Sequence, residues 1–328
     1  MASVDSNDIL RPKSVVNGKM KIDKDLCTQC GLCIENCPFV CWEKDEDDYP
    51  KLRDGYQCFS CYNCMIPCPV DAVSVVDSYH VEDGFWATEP RDMEAKMPFE
   101  PKDADGNPDQ WNAMEKAILE RRSVRNFKDT PVPEPLIRRV LEAGRFAPSA
   151  GNCQPWQFIV ITDRELIRKV DAATMAGVQG FHATYMDDDA VKSLAPMAEA
   201  NPGGLDPRVA RGGMGAVSRG ELPASLGAPC MIVLAADVRS IGPAEMSIGI
   251  CGQNMNLVAN SLGIKACWAG FPAMGLSAIA DKFTLKPGWN VITTLVLGYP
   301  AFKQEGIVPR EYRPVQWVRE GADVADID

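Results

Sequence analysis

Eight of the chain's thirteen cysteines fall in two copies of one pattern. The first copy is Cys27, Cys30, Cys33 and Cys37, followed by Pro38; the second is Cys58, Cys61, Cys64 and Cys68, followed by Pro69. Both read C-x2-C-x2-C-x3-C-P. At this spacing three thiolates wrap one cube of iron and sulfide, and the fourth cysteine of each run points away to the other cube. One [4Fe–4S] cluster would then use Cys27, Cys30, Cys33 and Cys68, and the other Cys58, Cys61, Cys64 and Cys37. Zinc is the competing metal, but its structural sites take separated C-x2-C pairs or Cys/His mixtures rather than a doubled run. Two clusters by themselves make a one-electron relay.

Acting on an organic molecule requires a carrier that converts single electrons into pairs, and a flavin does this. Arg121, Arg122 and Arg125 with Ser123 form a compact cationic and hydroxyl set at a helix end. Such a set suits a phosphate group; the plainer alternative is a solvated basic helix end. His182, beside Phe181 and Tyr185, is a candidate proton donor by the usual range of its pKa. Cys153 reads as a packed small residue or a reactive thiol. Cys41 reads as a buried thiol near a cluster, and Cys230, Cys251 and Cys267 as core residues. Trp268 either stacks at a pocket or fills the core.

The elements that must position these residues fall into two parts. A length of 328 residues suits one small and one ordinary domain. Short strands over Lys19–Asp23 and Ala72–Asp77 bracket the cysteine runs. Between the runs, the acidic stretch Glu43–Asp48 reads as a solvated loop or as a docking patch for a basic electron donor. We place the iron–sulfur domain at residues 1–78, a Pro- and acid-rich connector at 79–110, and a second domain at 111–328. The second domain opens with a helix carrying Trp111, Met114 and Ile118, with Asp109 as its N-cap. A second helix carries Leu136, Ile137, Val140 and Leu141. Strands are expected at Gln157–Thr162, Met231–Ala236, Lys265–Phe271 and Val291–Leu297. Asp163 caps a helix after the first of these, and Ser247–Leu262 is helical. Residues 174–224 read as an irregular lid or binding segment. No G-x-G-x-x-G follows any strand, so a Rossmann site is not supported.

Composition narrows the classes further. Apolar content of 46% and charged content of 24% fit a globular protein, and a net charge of −11 argues against nucleic acid as a partner. The opening MASVDSNDILRPKSV lacks the apolar stretch of a secretory signal, and no apolar run approaches the ~20 residues that span a bilayer. A cytoplasmic protein without a membrane anchor is expected, in which cysteines serve metal rather than disulfides.

RRSVRNF (121–127) followed by APSAGNCQPWQF resembles the FMN-dependent nitroreductase family, as do APCMIVLAAD, GQNMNLVANSLGIKACWAGF and the late VLGYP. The similarity covers residues 111–314, and the whole chain resembles the ferredoxin-fused nitroreductases. The resemblance implies an α+β fold: a small two-cluster ferredoxin-like domain, then a mostly antiparallel sheet flanked by helices, in an intertwined homodimer with FMN at the subunit interface. It implies that Arg121, Arg122, Ser123 and Arg125 hold the FMN phosphate and ribityl chain. Pro148, Ser149 and Asn152 match the loop given by the other subunit. Ala269 and Gly270 match the backbone beside the reactive edge of the flavin, and Arg310 matches a C-terminal phosphate-binding arginine. Ala269 stands where NAD(P)H-using members commonly carry an acid, which weakens direct nicotinamide binding as an inference.

The sequence therefore reads as an oxidoreductase that passes low-potential electrons, from a donor such as reduced ferredoxin, through two [4Fe–4S] clusters to FMN. FMN then reduces a small acceptor: a nitroaromatic, quinone, activated alkene or halogenated aromatic. The alternatives are a flavin-dependent dehydrogenase that delivers electrons outward to ferredoxin, and a non-catalytic electron-transfer flavoprotein.

Overall fold

The two cysteine runs fold alike. In this computed structural model, which describes residues 6–90, 98–201, 210, 212–303, 307–308, 310 and 315–320, the runs sit between β2 (Lys19–Ile22) and β5 (Val73–Asp77). These strands pair antiparallel with Met20 opposite Val75. A helix α1 (Ser6–Leu10) and a two-residue strand β1 (Val15–Val16) precede them. β1 pairs with β6 (His80–Val81), and the first run is followed by the hairpin β3 (Trp42–Lys44)–β4 (Pro50–Leu52). The acidic stretch Glu43–Asp48 runs from β3 into the tip of this hairpin, where Lys24 pairs with Asp45 at 2.8 Å.

Left-handed backbone recurs at equivalent places in the two runs: Gln29 and Ser60, Gly31 and Tyr62, Val40 and Asp71. Non-glycine residues seldom adopt positive φ, and such strain gathers at functional sites. Here it turns backbone N–H groups toward sulfur. Gln29 N donates to Cys27 Sγ and Ser60 N to Cys58 Sγ, both at 3.4 Å; Cys41 N donates to Cys37 Sγ at 3.4 Å and Ala72 N to Cys68 Sγ at 3.2 Å. Donors aimed at sulfur favour its anionic form.

The second part is built on a four-stranded sheet. Its strands are β7 (Trp156–Ile161), β8 (Cys230–Asp237), β9 (Lys265–Ala269) and β10 (Trp289–Gly298), in the order β7-β8-β10-β9, with every pair antiparallel. β8 reads as an unbroken apolar run because both of its faces are covered. Ile232 and Leu234 pack with Val140, Ile248 and Met255 of helices Glu134–Arg145 and Ala244–Ser261. Met231 and Val233 pack on the other face with Ile167, Val170 and Ile279.

Two expectations need correction. The first helix of this part, Ala113–Glu120, is capped by Asn112 rather than Asp109. Asn112 is the residue with a glutamate three places on: its side chain accepts from Met114 N and Glu115 N, and Glu115 accepts from Asn112 N at 2.7 Å. The segment 174–224 is also not an irregular lid in its described part. One helix runs from Arg164 to Met186, followed by a 3-10 turn (Ala190–Leu194) and helices Ala195–Ala200 and Gly213–Ser218. The Gly and Asp clusters at 187–189, 202–204 and 211–215 suggested irregular chain from Thr174 on. Val178 and Tyr185 continue the apolar face begun by Ile167 and Val170, and all four are buried. The PGG at 202–204 and Arg211 lie outside the described residues.

Candidate functional site

The segment Arg121–Lys128 is pinned between two strands. Val124 N donates to Ala266 O at the start of β9, and Lys128 N donates to Tyr299 O just past β10. Val124 is fully buried, which alternates Arg121, Ser123 and Arg125 toward one cleft. That cleft has a volume of about 240 Å³ and is lined by Arg121, Arg122, Ser123, Arg125 and Arg310 together with Phe59, Ser60, Cys61, Asn63 and Val308. Among the described residues, four guanidinium groups and no carboxylate line it.

Arg122 is the informative member. It is 2% exposed, and its Nη1 donates to Leu119 O at 3.3 Å and Arg121 O at 3.2 Å. Its Nε and Nη2 are buried without a hydrogen-bond partner among the described residues. Burial, then the neighbouring Arg121 and Arg310, holds its pKa below the usual arginine range. A buried cation with idle donors costs several kcal/mol unless an anion meets it. The donor set fits a phosphate, which accepts many hydrogen bonds and carries close to two charges.

Cys61 brings the cysteine runs to this cleft. Burial pushes its thiol up to about 11, while the Arg125 guanidinium pulls it down. The cysteines of the two runs lie within electrostatic reach of one another. Cys33 feels Cys30 and Cys68; Cys61 feels Cys37 and Cys58; Cys64 feels Cys61, Cys37 and Cys58 most strongly. Burial raises Cys33 to about 12 and Cys64 well above its ordinary value, so as free thiols these groups are protonated. Iron supplies the charge that holds such thiols as thiolates. Among the described residues no three His, Cys, Asp or Glu side chains converge on one point as a single-ion site requires.

The structure sets other predicted residues apart from the cleft. Pro148 and Asn152 are exposed on the turn after helix Glu134–Arg145 and do not line it. Ser149 Oγ there accepts from Gln154 N at 2.9 Å. Ala269 ends β9, with its carbonyl accepting from the Thr294 hydroxyl, and the next residue, Gly270, has open space where a Cβ would stand. His182 lies on the helix Arg164–Met186 away from the cleft, its pKa lowered by burial and by Arg219. Trp268 serves the core: its ring fills the space beside Gly252, where a Cβ would lie 3.0 Å from Cζ3. Cys153 is exposed, and Cys41, Cys230, Cys251 and Cys267 are buried. Sequence reasoning missed Phe59, Ser60 and Asn63 at the arginine cleft. Their sole signal was a place between cysteines of the second run.

Comparison with known proteins gives two family matches. The Nitroreductase family matches residues 118–299, and the 4Fe-4S binding domain matches residues 20–43, which hold the first cysteine run. A protein of Archaeoglobus fulgidus with the provisional name NADH dehydrogenase/NAD(P)H nitroreductase is 28% identical over 191 residues, covering 56% of this chain and 84% of the relative. A ferredoxin of Pyrobaculum islandicum is 36% identical over 56 residues, 17% of this chain and 51% of its own. A solved nitroreductase with bound FMN from Desulfitobacterium hafniense is 26% identical, with a TM-score of 0.46 and coverage of 61% of this chain and 96% of its own. No helix among the described residues is long and apolar enough to cross a membrane.

Proposed function

The chain belongs to the nitroreductase family, and on that premise we propose that it is an FMN-dependent oxidoreductase fed by two [4Fe–4S] clusters of its own. One observation carries the reading. A four-arginine cleft suited to a phosphate is lined also by Cys61, a member of the second cysteine run. Cluster one takes Cys27, Cys30, Cys33 and Cys68; cluster two takes Cys58, Cys61, Cys64 and Cys37, which lies nearer the flavin. Residues 1–78 carry the relay, 79–110 connect, and 111–328 hold FMN.

When bound, FMN supplies a carrier that takes electrons singly and gives them up as a pair. The chain's residues bind and orient it. Arg121, Arg122, Arg125 and Arg310 with Ser123 hold the phosphate and ribityl chain, and the backbone at Ala269 and Gly270 meets the reactive edge. The protein acts in the cytoplasm as an intertwined homodimer, in which Pro148, Ser149 and Asn152 of one copy reach the flavin of the other. The exposure of Pro148 and Asn152 supports this, as does the apolar face of helix Ala113–Glu120, where Met114 and Ile118 are exposed. Electrons come from a low-potential one-electron protein such as reduced ferredoxin. The acceptor is a small electrophile: a nitroaromatic, quinone, activated alkene or halogenated aromatic. Anaerobically purified protein should hold about eight iron and eight sulfide per chain, with one FMN, and should reduce such acceptors with reduced ferredoxin. Stoichiometric zinc with little iron after anaerobic reconstitution would sink the reading.

A further inference from the structure

The helices that follow β7 pack against the N-terminal helix α1. Ile9 and Leu10 of α1, both buried, pack in one cluster with Val178, Tyr185, Val191 and Leu194. Trp86 Nε1 donates to Ile9 O at 2.8 Å, and Arg11 Nη1 donates to Tyr185 O at 2.6 Å. In this first attachment, Ile9 and Leu10 precede both cysteine runs in sequence.

The second attachment is aromatic. Phe59, between Cys58 and Cys61, stacks with Phe39 at 5.1 Å between ring centroids and with Tyr79 at 4.7 Å. The Phe59 and Phe39 rings rest on Gly212: a Cβ there would overlap Phe59 and stand 3.2 Å from Phe39 Cδ1. A Cβ on Gly213 would meet Phe271 at 3.6 Å and Phe39 at 3.8 Å. Phe271 follows directly on Ala269 and Gly270. The third attachment is Cys61 at the arginine cleft, facing Arg125. Three attachments from separate stretches of sequence fix a rigid arrangement rather than a tethered one.

We propose that Gly212 is a positioning residue: its missing side chain forms the notch that seats Phe59 and Phe39 and so sets the distance from cluster two to the flavin. The inference rests on the reading that the clusters feed the flavin. Each flavin reduction takes two electrons from two successive one-electron oxidations of the clusters, with protons from water. A low-potential one-electron donor re-reduces the clusters. Electron transfer weakens steeply with separation, so a wedge at the notch slows it without touching either cofactor's ligands.

The test uses holoprotein with Gly212→Val, and Phe39→Ala as a second variant that empties the notch from the other side. Iron and flavin contents should equal wild type in both. With reduced ferredoxin as the one-electron donor in stopped flow, flavin bleaching through the clusters should slow severalfold in Gly212→Val relative to wild type. Hydrogen exchange at amides 58–62 should rise in both variants, a readout that needs no electron transfer. Wild-type bleaching rates with unchanged exchange would overturn the proposal. If wild-type flavin is never reduced through the clusters, the functional reading falls, and the exchange measurement alone then decides the seating.

Discussion

Replacing Arg122 with Met should separate two quantities that usually move together, stability and flavin affinity. In the flavin-free protein the substitution removes two long hydrogen bonds, to Leu119 O and Arg121 O, worth about 1 kcal/mol each. It also removes a buried cation whose Nε and Nη2 have no partner among the described residues, and that relief offsets the loss. The flavin-free variant should therefore unfold within about 2 kcal/mol of wild type. Binding behaves differently. Two charge-assisted bonds to phosphate, at roughly 1.5–3 kcal/mol each, make about 3–6 kcal/mol, or two to four orders of magnitude in Kd. At an FMN concentration of ~100 times the wild-type Kd, wild type gains about 2.7 kcal/mol of apparent stability and the variant close to none. Thermal unfolding of both proteins with and without FMN, beside titration of flavin fluorescence, reads these effects. A variant that binds FMN as tightly as wild type would refute the assignment of Arg122 to the phosphate. So would a flavin-free variant destabilised by far more than those two hydrogen bonds.

Replacing Arg125 or Arg310 with Ala should loosen FMN by roughly tenfold or more while leaving iron content unchanged, checked by flavin retention on desalting and by iron assay. FMN affinity should fall as pH drops through ~6, because the phosphate monoester loses one of its two charges there; riboflavin, which has no phosphate, should bind without that dependence in the same titration. Gly275→Ala should cost about 1–3 kcal/mol or more in urea unfolding, since its Cβ would come within 2.8 Å of Thr174 N, a backbone atom of the helix Arg164–Met186 that cannot swing aside.

Much of the fold was legible because its signals were local. The apolar run of β8, the β-branched β7 and the Asp163 cap each depend on a few adjacent residues, and the strands and the cap stand within two residues of expectation. The resemblance rested on motifs in the right order over residues 111–314, and the family match covers 118–299 of them. What the sequence did not carry was the relation between the halves. Gly212 and Gly213 look like loop glycines until Phe59 and Phe39 are found on them. Segment 174–224 looks like a lid because part of what it packs against, Ile9 and Leu10, lies at the other end of the chain. Arg122 could not be told from a solvated arginine by spacing, since its burial follows from packing that no local pattern encodes.

The measurement that tests the central claim most directly is steady-state turnover in a protein lacking cluster two. Cys58, Cys61 and Cys64 replaced by Ser should remove that cluster while FMN stays bound. Chemically reduced flavin in this variant should still turn over acceptor once, and multiple turnover with reduced ferredoxin should fail. Full steady-state activity with NAD(P)H in the cluster-deficient protein would contradict the account and make the iron–sulfur half an accessory.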